Sequence, residues 1–203
     1  RVLASFHTCL RDYQSDWEPS RRGYHDNPVV RGNLNGIPAS LRNDDSVAGR
    51  ESELLGTVSI LYDAYESASE RVNAAGWNDW RHQLAHADWH PGNMLFVNRR
   101  VRAVIDYDSL HMLPTAADLA NGALQFSILG GSNDPREWPA ELDESRFRRF
   151  LLGYRQVRRI RPECLAILPW LMIEALVAEA VMPIAATGSF GRIEGFRFLR
   201  MIA

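Results

Sequence analysis

Apolar residues recur at intervals of three and four along most of this chain, the spacing that places them on one face of a helix. Apolar runs at 94–97 and 101–105 are instead typical of strands, and the polar turn between them predicts a β-hairpin. We therefore expect a mainly α fold with one small β hairpin, α+β overall. Helices are predicted over 2–13, 46–75 and 116–128. Two more are predicted to start at Asp143 and at Pro162, and a short last helix is predicted over 189–202.

Polar residues and prolines mark the expected ends of these helices. Thr115, with Asp118 three residues later, predicts a capped helix start, because side chains at this spacing can bond the free backbone N–H groups. Pro169 is expected to split the helix that starts at Pro162 or to begin a new one. Pro183 is expected to follow the end of that segment.

Two features depart from the periodic pattern. Residues 14–44 are rich in Gly, Pro, Asn, Asp, Ser and Arg, so we expect a long loop there. Glu174 and Glu179 interrupt an otherwise apolar helix. They either lie on a solvated face or face a cleft, where they would attract a cationic substrate.

The composition is that of an ordinary globular protein, and 203 residues with 46% hydrophobic content can bury a sizeable core. A formal net charge of −2 argues against a nucleic-acid groove or a polybasic membrane contact. We find no run of about 18 apolar residues and expect no membrane span. Cys9 and Cys164 lack disulfide or metal spacing, which favours a cytoplasmic protein.

The most informative stretch runs from His86 to Asn93, with the sequence His-Ala-Asp-Trp-His-Pro-Gly-Asn. Asp88 and Asn93 lie five residues apart across Pro-Gly, so a loop can direct both side chains into one pocket. The hairpin that follows returns the chain towards its start, which lets Asp106 converge with them.

These residue types suit phosphoryl transfer. One carboxylate and one carboxamide fit Mg²⁺, which takes oxygen ligands and keeps several waters. A second carboxylate can orient and deprotonate a hydroxyl group. Together they could transfer a phosphoryl group to an alcohol.

The motif and the later Ile-Asp-Tyr-Asp at 105–108 resemble the aminoglycoside phosphotransferase family, also called the phosphotransferase enzyme family. This family has a protein-kinase-like fold and includes choline-kinase-like members. His90 and the Pro-Gly favour it over protein kinases, which carry Asp-Phe-Gly where this chain has Asp-Tyr-Asp. Ala87 departs from the glycine usual in its position. The resemblance covers essentially the whole chain, as a single C-terminal lobe over 1–203.

The resemblance implies a role for each motif residue. Asp88 would be the catalytic base, and Asn93 and Asp106 the magnesium ligands. ATP would donate its γ-phosphate to the hydroxyl of a small molecule, aminoglycoside-like, choline-like or other. Loops over 84–108 would carry the catalytic and metal-binding residues, and 116–203 would form a helical subdomain. The supporting residues would be His86, bonded to backbone, together with His90 and Asp108.

Two alternatives come from other classes of protein. His82, His86 and His90 lie four apart, the spacing of a zinc-binding helix face. A metal-dependent hydrolase would use His86, Asp88, His90 and Asp106. The chain could instead be a non-catalytic binding module, homodimeric through the surface that a second lobe would cover.

Kinases of this type carry an N-terminal lobe that supplies a nucleotide-covering loop and a lysine–glutamate pair on the ATP phosphates. This sequence starts within a predicted helix, and all 23 of its basic residues are arginine, so we expect that lobe and its lysine to be absent. The 203-residue chain should then bind ATP weakly or not at all and show no turnover.

Calorimetric titration of the chain with ATP and Mg²⁺ tests this expectation. We expect little or no heat of binding, because no lysine is available to contact the phosphates. Micromolar affinity would contradict the expectation.

Overall fold

The computed structural model describes residues 1–14, 16, 23–129 and 141–203, and this part of the chain is mainly helical. The expectation of a mainly α fold with a small β element is confirmed. Residues 130–140 and part of the predicted 14–44 loop lie outside the described residues. The helices are α1 (Val2–Cys9), α2 (Pro28–Ser40), α3 (Glu51–Ala74), α4 (Ala116–Gln125), α5 (Glu144–Arg155), α6 (Pro162–Thr187) and α7 (Gly195–Ile202).

The strands of the described residues form three antiparallel pairs rather than one hairpin. The predicted hairpin is β2–β3, whose turn residues Asn98 and Arg99 both have positive φ, as in the tight turns that suit twisted strands. The other pairs are β1–β4 and β5–β6. The strands are β1 (His82–Ala85), β2 (Met94–Val97), β3 (Arg100–Val104), β4 (His111–Pro114), β5 (Ser189–Phe190) and β6 (Ile193–Glu194).

Helix α6 lies at the centre of the molecule and packs against α2, α3 and α4. Its first half joins one apolar cluster, where Leu171 is fully buried beside Trp89 and Leu119. Its second half joins another, where Ile184 is fully buried beside Leu34 and side chains of α3. Because α6 is apolar around most of its circumference, its sequence favours burial against several neighbouring elements.

Among the described residues, α6 is long and apolar enough to cross a membrane by length and composition, although its glutamates leave no run of about 18 apolar residues. This helix has 26 residues, and its most apolar window has a mean hydropathy of 1.9. Of that window, 61% is buried inside the protein. Core helices meet the same criteria, and the packing of α6 is that of a core helix.

Proline does not interrupt α6, contrary to expectation. Pro162 lies in the first turn as expected, but Pro169 and Pro183 both lie inside the helix. Proline removes one backbone hydrogen bond and favours a kink. The packing of α6 against three helices outweighs that loss. The helix ends instead at Gly188, whose φ of 78° is the left-handed conformation that suits glycine.

The predicted long loop over 14–44 is wrong for 28–40, which form α2. Asn27 caps this helix by accepting a hydrogen bond from Val29 N, and Pro28 occupies the first turn. Val30, Leu34 and Ile37 recur at helical spacing and are buried. Gly32, Gly36 and Pro38 concealed this pattern in the sequence, because each of these residue types disfavours a helix interior.

Glu174 is not on a solvated face, and it does not face a cleft. It is fully buried, and it accepts hydrogen bonds from Ser69 Oγ at 2.6 Å and from Asp26 N at 3.0 Å. His25 Nδ1 lies 2.8 Å from its second oxygen. A buried carboxylate needs such partners to offset its lost hydration. Glu174 therefore links the start of α2 to α3 and α6.

Helix boundaries also differ from the prediction. The first helix ends at Cys9, and α3 begins at Glu51 rather than near residue 46. Asp44 accepts a hydrogen bond from Ser46 N in a turn before α3, so it does not cap the helix. The segment over 189–202 holds the β5–β6 hairpin before α7. Asp143 caps α5 as expected.

Removing the side chain of Leu34 tests the correction at α2. Leu34 is fully buried, so Leu34→Ala should lower the free energy of unfolding by about 2–5 kcal/mol. Val29 is 48% exposed on the same helix, and Val29→Ala should change it by less than about 1 kcal/mol. Urea denaturation measures both. Equal small effects would mean that this segment does not pack on the core.

Candidate active site

The stretch from His86 to Asn93 forms a tight loop that follows β1 and ends in one 3-10 turn, Pro91–Asn93. His90 begins that turn, and its Nδ1 accepts a hydrogen bond from Gly92 N at 3.0 Å. A Cβ atom at Gly92 would lie 2.6 Å from the His90 ring, so this approach requires glycine. The turn folds the chain back and brings Asn93 against Asp88.

Asp88 is held from within the loop. Asn93 Nδ2 donates to Asp88 Oδ2 at 2.8 Å and to the Asp88 carbonyl at 3.0 Å. His90 Nε2 lies 3.4 Å from the same Oδ2. These contacts orient one carboxylate oxygen and leave Oδ1 without a partner among the described residues. Asn93 is buried, whereas the Asp88 side chain is about one-third exposed, with a relative accessibility of 36%.

The hairpin brings Asp106 next to Asn93 along the backbone. Strand β2 starts at Met94, which pairs with Val104 at the end of β3, and Ile105 N donates to Asn93 O at 3.0 Å. Asp106 follows with a φ of 64°, a left-handed conformation that is strained for a residue with a side chain. Its carboxylate is exposed and forms no hydrogen bond or ion pair within the described residues.

His86 joins the two motifs. Its ring is fully buried, and Nε2 bonds the backbone carbonyl of Ile105 at 3.1 Å, which agrees with the expected anchoring role. Tyr107 packs on the His86 ring at 5.4 Å between centroids, and Phe6 contacts both rings, at 6.3 Å from Tyr107 and 6.0 Å from His86. Asp108 is exposed and makes no polar contact with the other site residues in the described chain, so its supporting role stays a prediction.

Asp118 was predicted to cap α4, and the structure corrects this. Thr115 at the helix start makes no capping hydrogen bond. Asp118 is fully buried and accepts hydrogen bonds from His86 N at 2.8 Å and from Ala87 N at 2.7 Å. His7 Nε2 lies 2.9 Å from the same carboxylate. The carboxylate of Asp118 therefore binds the backbone that leads into Asp88.

These partners also decide the charge of Asp118. Burial by itself raises the pKa of this carboxyl group, because the charged form loses its hydration. The hydrogen bond and charge of His7 and the two backbone N–H groups outweigh burial, so the pKa lies below its ordinary value. Asp118 is thus ionised at neutral pH and acts as a fixed acceptor.

Sequence reasoning did not identify His7. This histidine lies on the apolar face of α1 and is fully buried. Its Nδ1 bonds the hydroxyl of Tyr154 at 2.8 Å while Nε2 faces Asp118. Its place among the apolar residues of α1 indicates a buried histidine, but the sequence does not show which residues it contacts. The contacts connect α1 and α5 to the loop of Asp88.

The geometry does not favour the hydrolase. His86 uses Nε2 on a backbone carbonyl, and His82 Nδ1 bonds Trp80 O at 2.8 Å. In the described ranges, no three His, Cys, Asp or Glu side chains converge in a way that could hold a metal ion. Asn93 and Asp106 remain a pair of oxygen donors, a set that suits Mg²⁺ together with phosphate oxygens.

The comparison with known families favours the phosphotransferase over the hydrolase. The profile of the phosphotransferase enzyme family matches residues 1–160, which include every residue of the loop and hairpin. The chain belongs to this family. No curated protein matches it. A phosphotransferase is therefore the parent activity, as the resemblance of the motifs indicated.

The sequence left two placements open for Glu179 of α6, a solvated face or a cleft, and the structure places it against α4. It accepts hydrogen bonds from the amides of Asn121 and Gln125 on α4. Burial raises the pKa of Glu179 to about 7, and the negative charge of Asp88 adds to the shift, while the two amides oppose it. The carboxyl group therefore changes charge close to neutral pH beside the candidate base.

The raised pKa makes stability depend on pH. The folded-state pKa of about 7 lies above the ordinary glutamate value of 4.5. The stabilising contribution of neutral Glu179 is therefore fully present below pH 4.5 and is lost as pH rises through 7. Glu179→Gln lacks this titration. Its unfolding free energy relative to wild type should rise between pH 4.5 and 8 by on the order of 3 kcal/mol.

Urea denaturation at several pH values measures this difference. Glu70 is exposed on α3, and Glu70→Gln removes the same charge from a hydrated position. That control should show a difference from wild type that is flat with pH. A flat difference for Glu179→Gln as well would mean that Glu179 is ionised throughout the range.

Proposed function

We propose that the parent activity of this phosphotransferase is transfer of the γ-phosphoryl group of ATP to a hydroxyl group of a small molecule, with Mg²⁺. The 203-residue chain has no lysine to contact the ATP phosphates, so by itself it is expected to bind ATP weakly and to show no turnover. The observation that carries the proposal is the contact between Asp88 and Asn93 beside Asp106. It pairs a carboxylate that can face a hydroxyl with two oxygen donors that can face a cation. The protein-kinase-like C-terminal lobe implied by the resemblance is part of the same proposal.

Asp88 would orient the acceptor and receive its proton. Asn93 and His90 both contact Oδ2, so that oxygen is fixed in direction. The other oxygen, Oδ1, is the one left to accept a hydrogen bond from a hydroxyl group. A carboxylate with one oriented oxygen and one open oxygen is suited to act as a general base.

Asn93 and Asp106 would hold the magnesium ion. Asn93 donates to Asp88 through Nδ2, which leaves its Oδ1 as the ligand atom, and Asp106 offers an exposed carboxylate. Both are hard oxygen donors, so the donor set fits Mg²⁺. When bound, the ion neutralises charge on the phosphate oxygens during transfer. Asp88 can stay uncommitted to the metal, because its ordered oxygen already accepts from Asn93.

Glu179 and Asn121 would contribute to acceptor binding. Glu179 lies within electrostatic reach of Asp88, and Asn121 Oδ1 is buried without a hydrogen-bond partner among the described residues. A buried acceptor without a donor is unfavourable, and an incoming hydroxyl or amine would satisfy it. We infer an acceptor that carries hydrogen-bond donors near the reacting hydroxyl group.

Metal binding tests the role of the two oxygen donors, with Mn²⁺ alone as a spectroscopic substitute for Mg²⁺. Asp106→Asn should weaken Mn²⁺ binding by at least about tenfold in an electron paramagnetic resonance titration of free Mn²⁺. Asp88→Asn should weaken it less, because Asp88 orients Asn93 without contacting the ion.

Asp63→Asn is the matched control, since Asp63 is an exposed carboxylate on α3. It should leave the Mn²⁺ affinity unchanged. If Asp106→Asn and Asp63→Asn had the same effect, Mn²⁺ would be binding to the surface in general and the metal assignment would be wrong.

A further inference from the structure

A small cavity lined by arginine lies away from the residues of the proposed reaction. Its volume is about 220 Å³, and it lies where the start of α4 meets the connection from α5 to α6. Arginine supplies four of its lining residues, and among the described residues no aspartate or glutamate lines it. Asp88, Asn93 and Asp106 are not part of it. The four arginines are Arg81, Arg158, Arg159 and Arg161.

Only one of these four guanidinium groups has a carboxylate partner within the described chain. Arg81 pairs with Asp12 at 2.8 Å on the surface. Arg158 donates to two neutral acceptors, His7 O at 3.1 Å and Gln83 Oε1 at 3.2 Å.

The remaining two are exposed and carry no ion pair in the described residues. Arg161 lies over the Trp80 ring, 4.8 Å from its centroid, and Arg159 makes no polar contact there. Glu163 is the nearest acid in sequence, but it is exposed and does not line the cavity. Gathered guanidinium groups without counter-charges create a positive potential that attracts an anion.

The uncharged part of the lining also suits an anion. Thr115 and Ala116 place the start of α4 in the wall, and this ten-residue helix presents free backbone N–H groups there. Thr115 does not cap them with its side chain. Tyr154 also lines the cavity, and its hydroxyl bonds His7 Nδ1 at 2.8 Å. The arginines and the start of α4 therefore place donors around one space.

We propose that this cavity binds a phosphate-class anion, either inorganic phosphate or the phosphomonoester end of a small ligand. The volume is below that of most pockets for whole small-molecule ligands, about 300–1,000 Å³, and fits a single anionic head group. Arginine is suited to this role because its planar group donates two parallel hydrogen bonds to phosphate oxygens.

The cavity is connected to the loop of Asp88 through hydrogen bonds. Tyr154 in its wall bonds His7 at 2.8 Å, and His7 faces Asp118 at 2.9 Å. Asp118 in turn holds the backbone of His86 and Ala87. An anion in the cavity would thus lie beside Tyr154, which is linked through His7 and Asp118 to the loop of Asp88.

Binding of inorganic phosphate and of glycerol 3-phosphate, each measured by calorimetry in chloride buffer at constant ionic strength, tests the proposal. We expect saturable binding of at least one of them to the wild-type chain. Similar affinities identify free phosphate as the recognised species, and tighter binding of the ester identifies the head group of a larger ligand. No saturable binding of either ligand up to about 10 mM would overturn the proposal.

Substitutions locate the site. Arg159→Ala removes a group without contacts in the described fold, so thermal unfolding should stay unchanged while affinity falls by about tenfold. Arg161→Ala should give a similar loss. Arg155→Ala is the matched control, because Arg155 is an exposed arginine of α5 outside the cavity. A loss as large in Arg155→Ala, or none in Arg159→Ala and Arg161→Ala, would overturn the assignment.

Discussion

The hydrogen bonds accepted by the buried carboxylate of Asp118 hold the functional part of this molecule together. A fully buried carboxylate is stable only when its oxygens have donors, and here His7 and the backbone N–H groups of His86 and Ala87 supply them. Ala87 is thereby kept at a φ of 63°, a conformation that favours glycine. The residue that follows is Asp88. The position of Asp88 is set by Asp118 of α4, which binds the preceding backbone, and by Asn93, which donates to its side chain.

Helices α4 and α6 pack together and position the residues that hold the loop of Asp88. Gly122 of α4 allows close approach of Trp89 and Phe150, since a Cβ atom there would lie 2.9 Å from the Trp89 ring. One turn of α4 thus holds the loop through Asp118, and the next presents Asn121 and Gln125 to Glu179 of α6. Asp118 and the contact of Trp89 with Gly122 thus hold the loop on α4. The amides of Asn121 and Gln125 and the apolar core around α6 hold α4 against α6.

Much of the fold and of the site followed from the sequence, and the exceptions have a common cause. The hairpin of β2 and β3 and the cap at Asp143 depend on neighbouring residues, so local patterns predicted them. Helix α2, the continuity of α6 through Pro169, and the pairing of β1 with β4 depend on burial against distant elements. Tertiary contacts override local preference in these cases, as they often do where glycine or proline lies in a packed helix.

The sequence by itself determined the chemical content of the site. The spacing of Asp88, Asn93 and Asp106 around Pro-Gly and a hairpin is local, and it sufficed to indicate a phosphotransferase, the family to which the chain belongs. Only the tertiary structure decided how that loop is supported. His7 and Asp118 are far apart in sequence, and each resembles an ordinary core or cap residue when taken alone. Glu179 interrupts an apolar helix, but the sequence does not show that Asn121 and Gln125 are its partners. The roles of His7, Asp118 and Glu179 arise because burial removes water and forces charged groups to find partners across the fold.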